Sequence, residues 1–347
     1  MSRPKRLCLV ARIPGIAGPA SFQRRLAAGL EARGIEVAYS LSDSPYDAVL
    51  VNGGTRALAG LARAKRRGVP ILQRLDGINW IHRRVRTGVR HYLRAELANL
   101  LMAWIRRRFA DRIVYQSRFV ETWWNRERGP AAVPTSVVYN GVPLDRYHPD
   151  GPGVTPTDRI RILVVEGNFA GGYEIGISSA VLLRRQLDIT TGGRAELVIA
   201  GQVAEPIRRR WDAEAGSEII WRGAVPPDQI PELLRTGHML YASDLNPACP
   251  NSVLEAMACG LPILGFDTGA LPEIVTREAG RLAHYGGDPW KPDEPDAQAL
   301  AREAEVILGD QKGYAAGARA VAASTFGLDR MIDGYLGSLG WDAENGV

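Results

Sequence analysis

Residues 246–275 read NPACPNSVLEAMACGLPILGFDTGALPEIV, and this stretch says most about the fold. Asn251 or Ser252 is a suitable N-cap for a short helix, and Gly260 is a suitable end for it. The apolar run at 262–266 then predicts a strand. Backbone N–H groups at the start of such a helix bind anions, and a diphosphate suits them. We therefore predict an anion site at the start of this helix.

Glu255 lies in the first turn of this predicted helix or just beyond it. A carboxylate there can reach past the helix and accept hydrogen bonds from vicinal ribose hydroxyls. It can equally serve only as a charge that stabilises the helix dipole. The spacing alone leaves both interpretations open.

Short β-rich runs alternate with helical stretches along the whole chain. This alternation predicts parallel sheets covered by helices on both faces, the α/β class. A Gly-, Pro- and Thr-rich stretch at 150–158 predicts a linker between two halves. The predicted strands are 7–11, 36–39, 48–51, 70–72 and 112–115 before that linker, and 161–165, 196–200, 218–221, 239–242 and 262–266 after it.

The bulk composition fits two ordinary domains. The chain has 347 residues, 46% hydrophobic, and three cysteines that form neither a disulfide framework nor a metal-ligand spacing. We expect a cytoplasmic protein, since no run is long enough to span a bilayer and the first residues read as a strand. Residues 1–150 hold 26 Lys/Arg and 11 Asp/Glu, a net of +15, whereas the rest holds 17 and 27, a net of −10. The first half is therefore expected to face something anionic.

Two loops in the first half are candidate ligand contacts. The IPGIAGPAS run at 13–21 places Gly18 between a strand and a helix, where a ligand can approach the backbone; a plain tight turn is the alternative. Asp76, in QRLDG, follows the strand at 70–72, where ligands bind in parallel sheets. Its carboxylate could act as a base or orient an acceptor hydroxyl, or simply cap the next turn.

An arginine-rich helix is predicted at 85–109. Its apolar residues recur at helical spacing from Leu93 to Ile105, with arginines beside them. Such a helix can lie in a membrane interface, or it can dock on its own sheet with the arginines in solvent. The sequence leaves both open. Nucleic acid is not expected, because no aromatic-basic stacking pattern or DNA-binding helix pair stands out.

Taken together, the run at 249–275, VVYNGVPLDRYHP at 137–149, the GIAGPASF loop and DRIVYQSRF resemble the family-4 glycosyltransferases, glycosyltransferase group 1. The resemblance implies the GT-B fold: two Rossmann-like domains with a cleft between them and a C-terminal helix, residues 328–339, crossing back to the first. It implies domains at 1–152 and 153–325, with 326–347 packing back on the first domain. It also implies a retaining transfer without metal or other cofactor.

The resemblance assigns a nucleotide-diphosphate sugar to the second domain. Glu255 matches the glutamate that holds the donor ribose, and Ser252 and Val253 match amides that meet the diphosphate. The base is expected near the end of the strand at 218–221. The donor-binding residues implied are Gly18, Asn168, Arg222, Gly223, Asn251, Ser252, Val253 and Glu255, and Asp76 is the candidate catalytic residue.

The chain departs from this family at charged positions. Pro247 stands where the family has the first glutamate of its pair, eight residues before Glu255. Asn168 stands where the family has an arginine, and no lysine follows it within a few residues. Stabilising the leaving diphosphate is normally one of the largest catalytic terms. The expected function is hexosyl transfer to a glycan or lipid-linked acceptor, with cell-envelope glycan synthesis at the inner face of the membrane as its setting. The alternative is a degenerate relative that binds a nucleotide or glycan without turnover.

Overall fold

A computed structural model describes residues 3–10, 12–15, 18–169 and 174–341. The chain divides into two compact units. The first unit comprises Met1–Trp80, Gly88–Gly141 and Leu328–Val347, and the second comprises Ile81–Thr87 and Val142–Gly327. No helix within the described ranges combines the length and apolar character that crossing a membrane requires.

The first unit is built on a six-stranded parallel sheet in the order β2-β1-β3-β4-β5-β6. Its predicted strands are confirmed within one to three residues at either end, and β6 is a strand that the sequence analysis missed. Its elements are β1 (Arg6–Val10), α1 (Gly18–Glu31), β2 (Glu36–Ala38), β3 (Ala48–Asn52), α2 (Leu58–Arg66), β4 (Ile71–Leu75), α3 (Val89–Arg108), β5 (Arg112–Tyr115), α4 (Arg118–Arg128) and β6 (Thr135–Val137).

The central strands of this sheet are buried on both faces. Alternate residues of β1 separate into two clusters: Leu7 and Leu9 pack with α1, whereas Cys8 and Val10 pack with α2. Because side chains alternate across a strand, a run that is apolar at every position must be covered from both sides. Ser117 caps α4 as predicted, accepting a hydrogen bond from the Val120 N–H at 3.3 Å.

The second unit repeats this architecture with the strand order β12-β11-β10-β7-β8-β9, again all parallel. Here the sequence analysis missed β12. The elements are β7 (Ile160–Asn168), α5 (Ile175–Thr191), β8 (Ala195–Gln202), α6 (Glu205–Ala215), β9 (Ile219–Gly223), α7 (Ile230–Arg235), β10 (Met239–Ala242), α8 (Asn251–Ala258), β11 (Ile263–Phe266), α9 (Leu271–Ile274), β12 (Gly280–Ala283), α10 (Ala297–Gly309) and α11 (Gln311–Thr325).

The boundary between the units comes earlier than the predicted 152/153. Val142 donates its N–H to the Phe326 carbonyl at 2.8 Å and bridges to Gly327, which ties this passage into the second unit. The predicted linker at 150–158 is also held there. Arg235 of α7 donates to the Pro152 carbonyl at 2.7 Å, and Thr155 donates to the Arg235 carbonyl at 3.0 Å. A Gly- and Pro-rich composition therefore marks an anchored loop of the second unit.

The last helix, α12 (Leu328–Leu339), packs in the first unit, as predicted. It lies against α1, where Tyr335 and Phe22 rings sit 5.4 Å apart and Ile332 is fully buried. Gly29 of α1 allows this approach, because a Cβ there would collide with the Ile332 side chain. The end of the chain thus completes the core that begins with β1 and α1.

We expect Ile332→Ala to lower the free energy of unfolding by about 2–4 kcal/mol, because a buried aliphatic side chain leaves a cavity when it is truncated. Urea unfolding followed by circular dichroism measures the change. Asp329→Ala is the matched control on the same helix; its exposed pair with Arg33 contributes at most about 1 kcal/mol. Equal effects of the two substitutions would contradict the described packing of α12.

Candidate functional site

The candidate donor site lies along the carboxyl edge of the second sheet. Because all its strands are parallel, the loops that follow β7, β9 and β10 leave from the same edge. Asn168 ends β7 and Gly223 ends β9, while α8 follows β10. The strand order puts three strand spacings, about 14 Å, between β10 and β9. The predicted donor residues of the second unit therefore share one edge, spread over that distance.

The start of α8 differs from the prediction in its cap. Pro250 is the N-cap residue, with extended backbone angles, and no side chain caps the helix; neither Asn251 nor Ser252 does so. The first N–H groups of an α-helix have no intrahelical acceptor, so they stay open to an anion. The Asn251 Oδ1 is buried without a hydrogen-bond partner among the residues that the structure describes. This end of α8 is a polar terminus that the described part of the chain leaves incompletely satisfied.

Glu255 is the fifth residue of α8 and is 9% exposed. A charge that served only the helix dipole would be expected in solvent, since burying a carboxylate carries a desolvation cost. Its burial next to an uncapped helix start favours a role in holding something. Gly260, with φ of 72°, ends the helix as predicted, and the Cys259 N–H bonds the Glu255 carbonyl at 3.1 Å.

Pro247 sits in a tightly packed loop. Its carbonyl accepts the Ala270 N–H at 2.8 Å, and a Cβ on Gly269, which has φ of 60°, would come within 2.4 Å of the Pro247 nitrogen. The preceding Asn246 is 5% exposed and also has a positive φ, 54°. The position at which the resemblance expects an acidic side chain is therefore taken by a buried ring in a fixed pair of loops.

Two carboxylates at this edge escaped the sequence analysis. Glu166 lies near the end of β7, and Asp244 follows β10, the strand beside it. Burial, and for Glu166 also the nearby Asp244, raise the pKa of both carboxyls well above the usual range. Asp244 Oδ1 has no hydrogen-bond partner among the described residues. The signal for them was a charged residue within or directly after an apolar strand.

The first unit has a polar network at the carboxyl edge of its own sheet. Arg74 of β4 is 2% exposed, and it donates to Asn52 Oδ1 at 2.7 Å and to Asn140 Oδ1 at 2.9 Å. Its guanidinium stacks 3.7 Å from the centre of the Phe22 ring. The sequence analysis missed this buried cation, although an arginine inside a strand was a visible signal.

Asp76 follows β4 at this edge, where the sequence placed it. Burial raises the pKa of its carboxyl, and the positive charge of Arg74 opposes that rise. Its carbonyl accepts the Trp124 Nε1–H at 2.7 Å, which fixes the backbone. Gly18, the other predicted contact of the first unit, is the exposed first residue of α1. Two residues of its loop, 16 and 17, lie outside the described residues.

The comparisons with known proteins agree with this fold. Over 96% of its length the chain is similar to sucrose-phosphate synthase of Thermosynechococcus elongatus, with 98% of that chain covered, 15% identity and a TM-score of 0.73. HepE of Anabaena in complex with UDP-glucose gives 16% identity and a TM-score of 0.70, with 96% and 99% covered. WaaG, a glycosyltransferase involved in lipopolysaccharide biosynthesis, gives 13% and 0.67, with 94% and 98% covered. The protein has the GT-B fold of glycosyltransferases.

The family assignment rests on the second unit. Residues 168–310 match the family Glycosyl transferases group 1, so this segment is a domain of that family. It contains Asn168, the β9 end, and the whole of α8.

Two curated relatives match over shorter stretches. The gpi3 subunit of phosphatidylinositol N-acetylglucosaminyltransferase from Schizosaccharomyces pombe is 24% identical over 166 residues, 46% of this chain and 33% of that protein. A subunit of the Arabidopsis thaliana enzyme of the same name is 31% identical over 86 residues, 25% of this chain and 17% of that protein. The matches thus span a third or less of those relatives.

The carboxylates near α8 predict a pH dependence of stability. A carboxyl whose pKa is raised by folding costs stability when it ionises, so stability falls as the pH rises from about 5 through the pKa of about 8 of Glu166. We expect Glu166→Gln, which cannot ionise, to lose less. At pH 8.5 its melting temperature should exceed that of the wild type by a few degrees, since 1 kcal/mol corresponds to about 2–4 °C.

Thermal unfolding at pH 5–9 measures this difference. Asp228→Asn, at an exposed aspartate of the same unit, is the matched control and should follow the wild type. A Glu166→Gln curve parallel to the wild-type curve would show that this carboxyl is not desolvated.

Proposed function

We propose that the protein is a retaining, metal-independent glycosyltransferase that moves a hexose-type sugar from a nucleotide-diphosphate sugar to an anionic or lipid-linked acceptor. The observation that carries the proposal is the start of α8 within a group 1 domain: an uncapped helix terminus, a buried Asn251 Oδ1 without a partner among the described residues, and the buried Glu255 on the same helix.

The donor fits this edge in one orientation. Its diphosphate meets the N–H groups of Asn251, Ser252 and Val253, where the helix dipole favours negative charge. The Glu255 carboxylate accepts hydrogen bonds from the ribose hydroxyls. The base lies toward Arg222 and Gly223, at the end of β9, which the sheet order places about 14 Å from β10. HepE, which has the same fold, is titled as a complex with UDP-glucose, so a uridine donor is the first to test.

The leaving diphosphate lacks the usual cations after β7. We assign part of its stabilisation to the α8 amides and part to the acids Glu166 and Asp244, whose raised pKa keeps a large protonated fraction near neutral pH. A protonated carboxyl donates a hydrogen bond to a phosphate oxygen, whereas an ionised one repels it. Donor binding should therefore weaken as the pH rises above 8.

In the first unit we assign the acceptor hydroxyl to Asp76. An ionised carboxylate there orients the hydroxyl and accepts its proton as the new glycosidic bond forms. The buried Arg74 supports the ionised form of Asp76 through its charge. The excess of basic residues in 1–150 suits an acceptor with phosphate groups. Two similar proteins, phosphatidylinositol N-acetylglucosaminyltransferase and WaaG, carry names that point to lipid or lipopolysaccharide synthesis, which supports a glycolipid or cell-envelope acceptor.

The alternative function is a degenerate relative that binds a nucleotide or glycan without turnover. The buried Pro247 and the Asn168 at the end of β7 favour it, because each replaces a charged residue that the family resemblance expects at the reacting sugar or the diphosphate. Donor turnover separates the two functions.

We expect Glu255→Ala to weaken donor binding by about ten- to a hundredfold, the worth of a hydrogen-bonded charged group. Isothermal titration with UDP-, GDP- and ADP-sugars measures the dissociation constant. Glu232→Ala, an exposed glutamate at the start of α7, is the control and should bind as the wild type does. Full donor affinity in Glu255→Ala would remove the assigned ribose contact.

We expect Asp76→Asn to slow sugar transfer by at least a hundredfold while it leaves donor affinity within about twofold, because general acid–base catalysis contributes about 10²–10⁴-fold. Release of nucleoside diphosphate, with and without an acceptor panel, measures turnover, and NMR of the product reports the anomeric configuration. A wild type that binds a donor but never consumes it would favour the alternative function.

A further inference from the structure

The helix α3 presents two different faces. Its buried face packs into the first unit through Ala95, Asn99, Met102, Ile105 and Arg106. The opposite face carries Val89, Leu93, Leu97, Leu100 and Trp104, whose exposed fractions lie between 44% and 76%. The sequence had left open whether the apolar residues of this helix dock on the sheet. The structure separates them, because Ile105 is buried while Leu93, Leu97, Leu100 and Trp104 are not.

The exposed apolar residues form one continuous row. Their spacing of four, four, three and four residues keeps them within about 80° of the helix circumference, at 3.6 residues per turn. The row is about 22 Å long from Val89 to Trp104, at 1.5 Å per residue. We call these five residues the α3 stripe. The other large exposed hydrophobics in the described ranges, Val154, Ile189, Ile220 and Val306, lie far apart in the sequence. A contiguous exposed row marks an interaction surface, whereas scattered single residues do not.

The charges beside the α3 stripe say which partner fits. The helix carries five arginines and one glutamate. Arg90, Arg94, Arg107 and Arg108 are exposed, and none of the four forms an ion pair with another described residue. Arg90 and Arg108 border the stripe about 20° beyond its edge, and Arg107 lies at its end. An apolar row bordered by arginines complements a surface with anionic groups above an apolar interior.

We propose that the α3 stripe docks the protein on an anionic lipid membrane. The helix lies in the plane of the interface, with the stripe among the upper acyl chains and the arginines at the lipid phosphates. A second copy of the chain fits this face poorly, because it would bring two rows of arginines together. The proposal deepens the proposed function by naming the surface that would approach a lipid-linked acceptor. It rests on that function only for the acceptor, since membrane binding is measured without donor or turnover.

Vesicle flotation with the full chain tests the proposal. We expect the wild type to bind vesicles of phosphatidylcholine with 30% phosphatidylglycerol at least tenfold more strongly than pure phosphatidylcholine, and less as salt increases. The triple variant Leu93→Ser, Leu97→Ser, Leu100→Ser should lose at least tenfold. Arg90→Gln with Arg94→Gln should lose about fivefold per arginine, from about 1 kcal/mol each near an anionic surface.

Matched variants keep the test specific. Ile189→Ser with Val306→Ser removes exposed apolar residues elsewhere, and Arg208→Gln with Arg209→Gln removes exposed arginines of α6; both should bind as the wild type does. Circular dichroism and thermal unfolding check that every variant is folded. Quenching of tryptophan fluorescence by brominated lipid gives a second readout, which Trp104→Phe should reduce even if the triple variant fails to fold.

Three results would overturn the proposal. The first is equal binding by the wild type and a folded triple variant, and the second is no binding to anionic vesicles at any salt concentration. The third is a concentration-dependent dimer that the triple variant dissociates, because it would assign the stripe to a second copy. Loss of vesicle binding with donor affinity unchanged would support the surface even if no acceptor is ever found.

Discussion

Both sheets of this protein are wholly parallel, and the constraint that follows shapes everything else. A parallel strand can only be reached through a crossover, so helices cover both faces of each sheet and every strand of that sheet ends at the same edge. The side chains and loops at that edge are not needed for the core. In the second unit the edge carries the turn after β7, the end of β9 and the uncapped start of α8. In the first it carries Asp76 and the buried Arg74 network.

The parallel architecture was readable from the sequence because it depends on local patterns. Alternating apolar runs predicted ten of the twelve strands, and β10, β5 and α12 have the predicted bounds. The two missed strands, β6 and β12, are sheet-edge strands of three and four residues, too short and too polar for a periodic signal. The cap of α8 was wrong because Pro250 takes the extended backbone that ends the preceding loop, a matter of loop packing.

The candidate site was only partly predictable, since charge environments come from residues far apart in the sequence. The positions of Asn168, Glu255 and Asp76 followed from motifs, but Glu166 and Asp244 come together only because β7 and β10 are neighbours in the sheet. Those two acids change the chemistry of the donor edge. A diphosphate that normally meets cations after this strand would here meet carboxyls whose pKa is raised by burial. Such a site binds an anion best when its acids are protonated, which makes proton concentration part of donor recognition.

The central claim is that a nucleotide-sugar donor binds at the start of α8. Hydrogen–deuterium exchange with and without saturating UDP-sugar tests it most directly, because amides that bind phosphate oxygens exchange more slowly. The account predicts that peptides covering residues 246–258 gain protection, together with those at the ends of β7 and β9. Protection confined to other regions, or none with any nucleotide sugar, would contradict the donor site described here.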